Sequence, residues 1–141
     1  MSDSAQDSKR GSFLRAWWPA LAYMALIWTL SSMQLTVSLN SIPFKDKGVH
    51  AVEYGALALL LAHAIRRTWL TTPLWRVLLY AVALTFVWGF LDEVHQAFVP
   101  GRNADARDLL ADTVGAFLGS ACLVAFHWLR SSAGTRRTSP P

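Results

Sequence analysis

The sequence predicts an all-α fold, an integral membrane four-helix bundle with both termini cytoplasmic. Two observations carry this. Four apolar runs can be drawn, at 16–33, 49–65, 74–91 and 109–129, each near the ~20 residues a helix needs to cross a ~30 Å hydrocarbon core. Hydrophobic residues make up 53% of the chain and charged residues 16%, against roughly 25% charged in soluble domains. A soluble helical bundle would need a polar face on every helix, and the first and last runs have none at helical spacing.

At 141 residues the chain has room for one domain. The reading divides it into a disordered cytoplasmic tail at 1–15, a four-span membrane domain at 16–130 and a second disordered tail at 131–141. The polar start, MSDSAQDSKRGSF, and the end, SSAGTRRTSPP, have the composition of segments that bury little. The run after Arg15 reads as a first span and not a cleaved leader: no small-x-small site precedes a soluble-looking domain, and further apolar runs follow. The single cysteine, Cys122, excludes a disulfide framework within the chain.

Lys and Arg set the orientation. Lys9, Arg10, Arg15, Arg66, Arg67, Arg76, Arg130, Arg136 and Arg137 fall on one side, against Lys45, Lys47, Arg102 and Arg107 on the other. The richer side is cytoplasmic by this rule, so 34–48 and 92–108 face outward. Tryptophans agree, with Trp17, Trp18, Trp69, Trp75 and Trp128 near the inner interface and Trp28 and Trp88 toward the outer one. Thr72-Pro73 resembles an N-cap followed by proline at the first helical position. Asp105-x-x-Asp108 resembles a capping arrangement opening the fourth span. Gly115 and Gly119 form a small-xxx-small face for close helix approach. The basic residues are dispersed along one rim and the tails, so nucleic-acid binding has no support.

The carboxylates point the other way. All except Asp3 and Asp7 fall at the outer ends of the spans: Asp46, Glu53, Asp92, Glu93, Asp105, Asp108 and Asp112. Helical spacing sorts them into faces. Asp46, His50, Glu53 and Tyr54 share one side of the second span. Gly89, Asp92, Glu93 and Gln96 share a face of the third if its helix continues past the membrane surface. Asp108, Asp112, Gly115 and Gly119 share a face of the fourth. These faces can converge on one outward pocket, closed by Arg102 from the intervening turn.

Two signatures in this stretch resemble the VanZ-like family of small bacterial membrane proteins. The first is Asp46-Lys47-x-x-His50-x-x-x-Tyr54. The second is Asp92-Glu93-x-x-Gln96-x-Phe98-x-Pro100-Gly101-Arg102, then Asp108-x-x-x-Asp112-x-x-Gly115-x-x-x-Gly119. The chain departs from the family at Asp112, where asparagine is usual. The family takes its name from a protein that raises resistance to the glycopeptide teicoplanin. The resemblance therefore implies cell-envelope work in the bacterial cytoplasmic membrane, with an accessory role in antibiotic resistance and a lipid-linked or cell-wall ligand as partner. It implies no particular reaction and no cofactor.

Each site residue has a chemical and a structural reading. Glu93 and Gln96 serve as a general acid/base and its orienting partner, or as an interhelical hydrogen-bond tie. Arg102 binds a phosphate or carboxylate, or makes a salt bridge to Asp108 or Glu93. His50 with Asp46 forms an acid/base dyad, or His50 makes one interhelical bond. Tyr54, Asp92, Asp108 and Asp112 complete the candidate ligand-binding set, and Lys47 reads as a surface cation. Mixed oxygen and nitrogen donors suit a divalent metal, but the spacing matches no established metal motif, and none is assigned. The functional alternatives are a ligand-binding accessory protein, a membrane enzyme doing acid/base or phosphoryl chemistry on a lipid-like substrate, and a small transporter or flippase subunit.

Overall fold

A computed structural model describes the backbone of residues 2–33, 45–102 and 104–136, and the side chains of 11–33, 47–102 and 104–132. Four helices follow in order, α1 (Ser2–Ser31), α2 (Lys45–Thr68), α3 (Leu74–Gln96) and α4 (Ala106–Arg136). The described residues contain no strand. In hydrocarbon every backbone N–H and C=O must be satisfied within its own segment, which is why apolar runs of this length fold as helices.

α2 is the central helix. It packs against each of the other three, most extensively against α4, while α1 and α4 do not meet among the described residues. Tyr54, Leu57, Leu61 and Ile65 of α2 form the middle of the core, met by Ala20 and Ile27 from α1, Val77 and Ala81 from α3, and Leu123 from α4. The α2–α4 contact is backbone to backbone. A Cβ on Gly115 would overlap the Ala51 backbone, and one on Gly119 would overlap that of Gly55. The expected small face of α4 thus meets a second one on α2, Ala51-x-x-x-Gly55, which lets the axes approach closely.

The outer surfaces are apolar. Leu79, Phe86, Val87 and Phe90 on α3, and Val114, Phe117, Leu118 and Phe126 on α4, are exposed. A contiguous surface of this kind is unfavourable in water and suits a bilayer. Lys47–Thr68, Leu74–Gln96 and Ala106–Ser132 are long and apolar enough to cross a membrane. The first of the expected spans, on α1, is not among them. Its tryptophans, Tyr23 and Pro19 dilute the hydropathy of a helix that still exposes Leu14, Leu21 and Leu26.

Element ends depart from the sequence reading in instructive places. α1 starts at Ser2, within the expected tail, and α4 runs to Arg136, beyond the expected span. Once a packed stretch has nucleated a helix, adding residues costs little, and 2–15 contains no proline to stop it. Arg15 Nε donates to the Gly11 carbonyl within this extension. Residues 137–141 lie outside those described, as does most of the expected 34–48 loop. Pro73 is itself the N-cap of α3, with no side-chain cap, so the Thr72-Pro73 expectation is one residue early. α3 continues through Gln96, as the face argument required. The turn to α4 passes through Gly101 at φ 80°, a left-handed conformation that only glycine adopts without strain.

Candidate functional site: a carboxylate cluster at one end of the bundle

The C-terminal ends of α1 and α3 and the N-terminal ends of α2 and α4 lie together at one end of the bundle. Asp92 on α3 is 2% exposed. Its Oδ1 accepts from Ser31 Oγ of α1 at 2.5 Å. Its Oδ2 accepts from Tyr54 OH of α2 at 3.2 Å and from Gln96 Nε2 one turn along at 2.7 Å. One carboxylate thus ties three helices. Buried charge is costly unless hydrogen-bonded, and these bonds supply that compensation. Gln96 therefore orients Asp92 and not Glu93. Tyr54, stacked parallel to the His50 ring, is engaged with the same carboxylate.

A second buried carboxylate sits across from it. Asp112 on α4 is 1% exposed. Its Oδ1 lies 3.0 Å from His50 Nδ1 of α2. Its Oδ2 is buried with no hydrogen-bond partner. The described carboxylate partner of His50 is Asp112, from another helix. The expected pairing with Asp46 falls on a side chain outside those described. Glu93, 8% exposed, accepts the backbone N–H of Asp105 at 2.9 Å through Oε2. His50, Glu93 and Asp112 each offer one ligand atom, and these atoms lie within 4.8 Å of one another.

The turn between α3 and α4 is held by charges at the rim. Asp105 Oδ1 accepts the N–H of Arg107 at 2.8 Å, capping α4 as expected. The reciprocal half of that cap is absent, because Glu93 takes the Asp105 N–H and Asp108 turns to Lys47. Lys47 Nζ lies 2.6 Å from Asp108 Oδ1 and 3.3 Å from Asp105 Oδ2. It is a tie between α2 and the start of α4, not a loose surface cation. The Arg107 N–H holds the Asp105 carboxyl below the usual carboxylate range against desolvation, with the Lys47 ammonium adding to it.

Arg102 makes neither expected salt bridge. Its Nη2 donates to the carbonyls of Leu30 and Met33 at 3.0 and 3.1 Å. Both carbonyls lie at the end of α1, where a cationic side chain is favoured; that of Leu30 also accepts the Met33 N–H. Lys47 holds Asp108, and the guanidinium turns to α1. Its Nε is buried without a partner. Arg102, His50, Glu53, Asp92, Gln96 and Ser31 line a cavity of about 350 Å³ whose wall also includes the apolar Ile27, Leu30, Val49 and Val52. Ser31 and Glu53 are the site residues that the sequence reading left out of its candidate set. Glu53 was visible in the α2 face, whereas nothing in the sequence singles out Ser31. His95 of α3 bonds Ser32 at 2.9 Å and stacks on Trp28, which makes it part of the α1–α3 packing.

Apolar outer faces, a polar cluster shared by helix ends and close glycine-mediated packing define a small α-helical membrane protein. The chain belongs to the VanZ/LLP1 family, whose model matches residues 2–127. The match takes in α1 as well as the two signatures, so it extends the resemblance beyond the Asp46–Gly119 stretch. Neither the curated proteins nor the solved structures gave a match to the chain.

Proposed function

We propose that this VanZ-like membrane protein is an accessory factor of the bacterial cell envelope. In this reading it binds the polar head of a lipid-linked or cell-wall ligand and alters susceptibility to teicoplanin-type glycopeptides. Four spans, with α1 as the first and both termini cytoplasmic, put the carboxylate end on the outer face. The Lys and Arg distribution supports this orientation.

The observation that carries the proposal is the mixed lining of the cavity. Arg102 has a buried, unpartnered Nε, and Ile27, Leu30, Val49 and Val52 add apolar wall. At about 350 Å³ it is at the small end of ligand pockets. It takes a head group, with any acyl chain left along the exposed flanks of α1 and α2. The guanidinium suits a phosphate or carboxylate oxygen.

Native mass spectrometry in mild detergent tests this. The parent chain carries an anionic, lipid-like adduct, and Arg102→Gln loses it. Glutamine keeps a donor for the Leu30 and Met33 carbonyls, so the α1 end stays capped while the charge is gone. Adduct-free spectra for both proteins, or equal adduct on both, would overturn the reading. In cells, expression of the parent shifts teicoplanin susceptibility and the variant does not.

A second reading, acid/base chemistry on a lipid-like substrate, is favoured by the closeness of His50 and Glu93. Two titratable groups of different type side by side can divide acid and base roles. Glu93→Gln separates the two readings: turnover is lost in an enzyme, whereas adduct binding survives in a binding protein.

A further inference from the structure

We propose that His50, Glu93 and Asp112 form a binding site for a divalent transition metal, with Zn²⁺ the ion that suits the donors. The site draws one residue from each of α2, α3 and α4. It lies beside the ligand cavity and shares His50 with it.

The argument starts from Asp112. A carboxylate that is 1% exposed needs partners for both oxygens. Oδ1 has His50, and Oδ2 has none. Asp92 shows that this fold can satisfy a buried carboxylate fully with neutral donors. At Asp112 it does not. The orphan oxygen faces α3 at Gly89, where an added Cβ would stand 3.2 Å from it. Glu93 is one turn further along the same face of α3.

The other members are poised similarly. The 3.0 Å gap between His50 Nδ1 and Asp112 Oδ1 requires a positive particle between two lone pairs, either a proton or an ion. Two ligands on one tetrahedral ion with bonds of ~2.0–2.1 Å lie about 3.4 Å apart, close to that gap. Glu93 Oε2 is fixed by the Asp105 N–H, an outer-shell bond of the kind that aims a ligating carboxylate. Its Oε1 makes no hydrogen bond among the described residues. The ligand atoms lie within 4.8 Å of one another, so closing on a small ion takes at most about 1.4 Å of inward movement.

Charge points the same way. The nearby side-chain cations are committed elsewhere, Lys47 to Asp105 and Asp108 and Arg102 to the end of α1. Within the trio Glu93 and Asp112 are left with one imidazole, and Asp92 nearby has neutral donors only. A dication offsets two of these charges, and an imidazole with two carboxylates favours zinc over the all-oxygen environments that magnesium and calcium take. Three protein ligands leave a fourth position open, which characterises a reactive zinc site more than a structural one.

The test is metal titration of the full chain in detergent after chelator stripping, with Zn²⁺ read by calorimetry and Co²⁺ as a spectroscopic stand-in. The parent binds one Zn²⁺ per chain, and its Co²⁺ form shows the intense visible bands of a low-coordinate nitrogen and oxygen site. Asp112→Asn keeps an acceptor for His50 but loses the anion, and its affinity falls at least tenfold. Glu93→Gln falls likewise. Circular dichroism and elution volume report whether each variant is folded. No Zn²⁺ uptake by the folded parent, or uptake equal in parent and in both folded variants, overturns the proposal. Should both variants misfold, the parent's Co²⁺ spectrum decides alone. The proposal is independent of the cavity's ligand. Arg102→Gln loses the adduct and keeps the metal, and Asp112→Asn loses the metal and keeps the adduct.

Discussion

Asp92 and Asp112 are two aspartates of nearly equal burial at the same end of one small bundle, and they are finished differently. Asp92 receives a hydroxyl from α1, a phenol from α2 and an amide from its own helix. Asp112 receives one imidazole and leaves an oxygen bare. The difference separates two uses of buried charge. A carboxylate surrounded by neutral donors is spent on holding helices together. A carboxylate left one partner short keeps capacity for something else, and such orphans call for an explanation.

The comparison is broken most severely at Asp92. Asp92→Ala leaves Tyr54 and Gln96 with buried donors and no acceptor, and Ser31 with only the Trp28 carbonyl of its own helix. Unsatisfied buried groups are expensive, although membrane hydrogen bonds measured singly are modest. The expected loss is about 3 kcal/mol, read as a fall in the unfolding midpoint in mixed micelles. A loss below about 1 kcal/mol would mean that the three helices do not depend on this knot.

Gly89 tests the space between the two carboxylates. A Cβ there meets Asp112 Oδ2 and Tyr54 Cε1, both at 3.2 Å, and Leu109 Cδ1 at 3.4 Å. Gly89→Ala must therefore push on a partner of Asp92 and on Asp112 itself. Helix propensity favours alanine by ~1 kcal/mol, while overpacking costs ~1–3. We expect a net loss of about 1 kcal/mol, measured in the same micelles. A net gain would show that the pocket around Oδ2 is roomier than the contacts imply.

Asp112→Asn sharpens the comparison by its small size. Asparagine retains an acceptor for His50 and replaces the bare anionic oxygen with a group that need not be charged. Stability changes by less than about 1 kcal/mol in metal-free protein, with a gain as acceptable as a loss. An unfolding loss as large as that of Asp92→Ala would make Asp112 another structural knot.

How much of this was legible in the sequence follows from range. The helices, the polar end and the glycine face of α4 are written in local periodicity, and each could be read from one segment. Partner choice could not. Spacing sees only the same helix, so it offers His50 its neighbour Asp46, whose side chain lies outside those described. Asp112, which His50 meets, lies on another helix, and only the α2–α4 packing brings it near. For Arg102 charge offers an anionic ligand or a salt bridge to Asp108 or Glu93; the contacts it makes within the chain are to uncharged carbonyls at the end of α1. Ser31 carries no periodic or charge signal, and its importance exists only once α1 is docked on α3. The helical extension of α1 toward Ser2 was missed because composition favoured a tail.

Asp105 supplies the mildest contrast, a carboxylate of the same cluster that remains at the rim. Its carboxyl is held below the ordinary range by the Arg107 N–H first, with the Lys47 ammonium adding to it. A carboxyl whose folded pKa is depressed stabilises the fold fully above its unfolded pKa of ~3.9, and that contribution disappears as pH falls through the lower folded value. The stability gap between the parent and Asp105→Asn should therefore stay flat from neutral pH down to about pH 5, then narrow and close in more acid solution. Salt should shrink the Lys47 share of it, since an exposed pair is screened within a Debye length. Denaturation midpoints across that pH series measure the gap directly. A gap already closing between about pH 7 and 6 would mean the carboxyl is raised, not lowered. Asp105 would then belong with the desolvated groups behind it, and the rim would no longer differ from the interior.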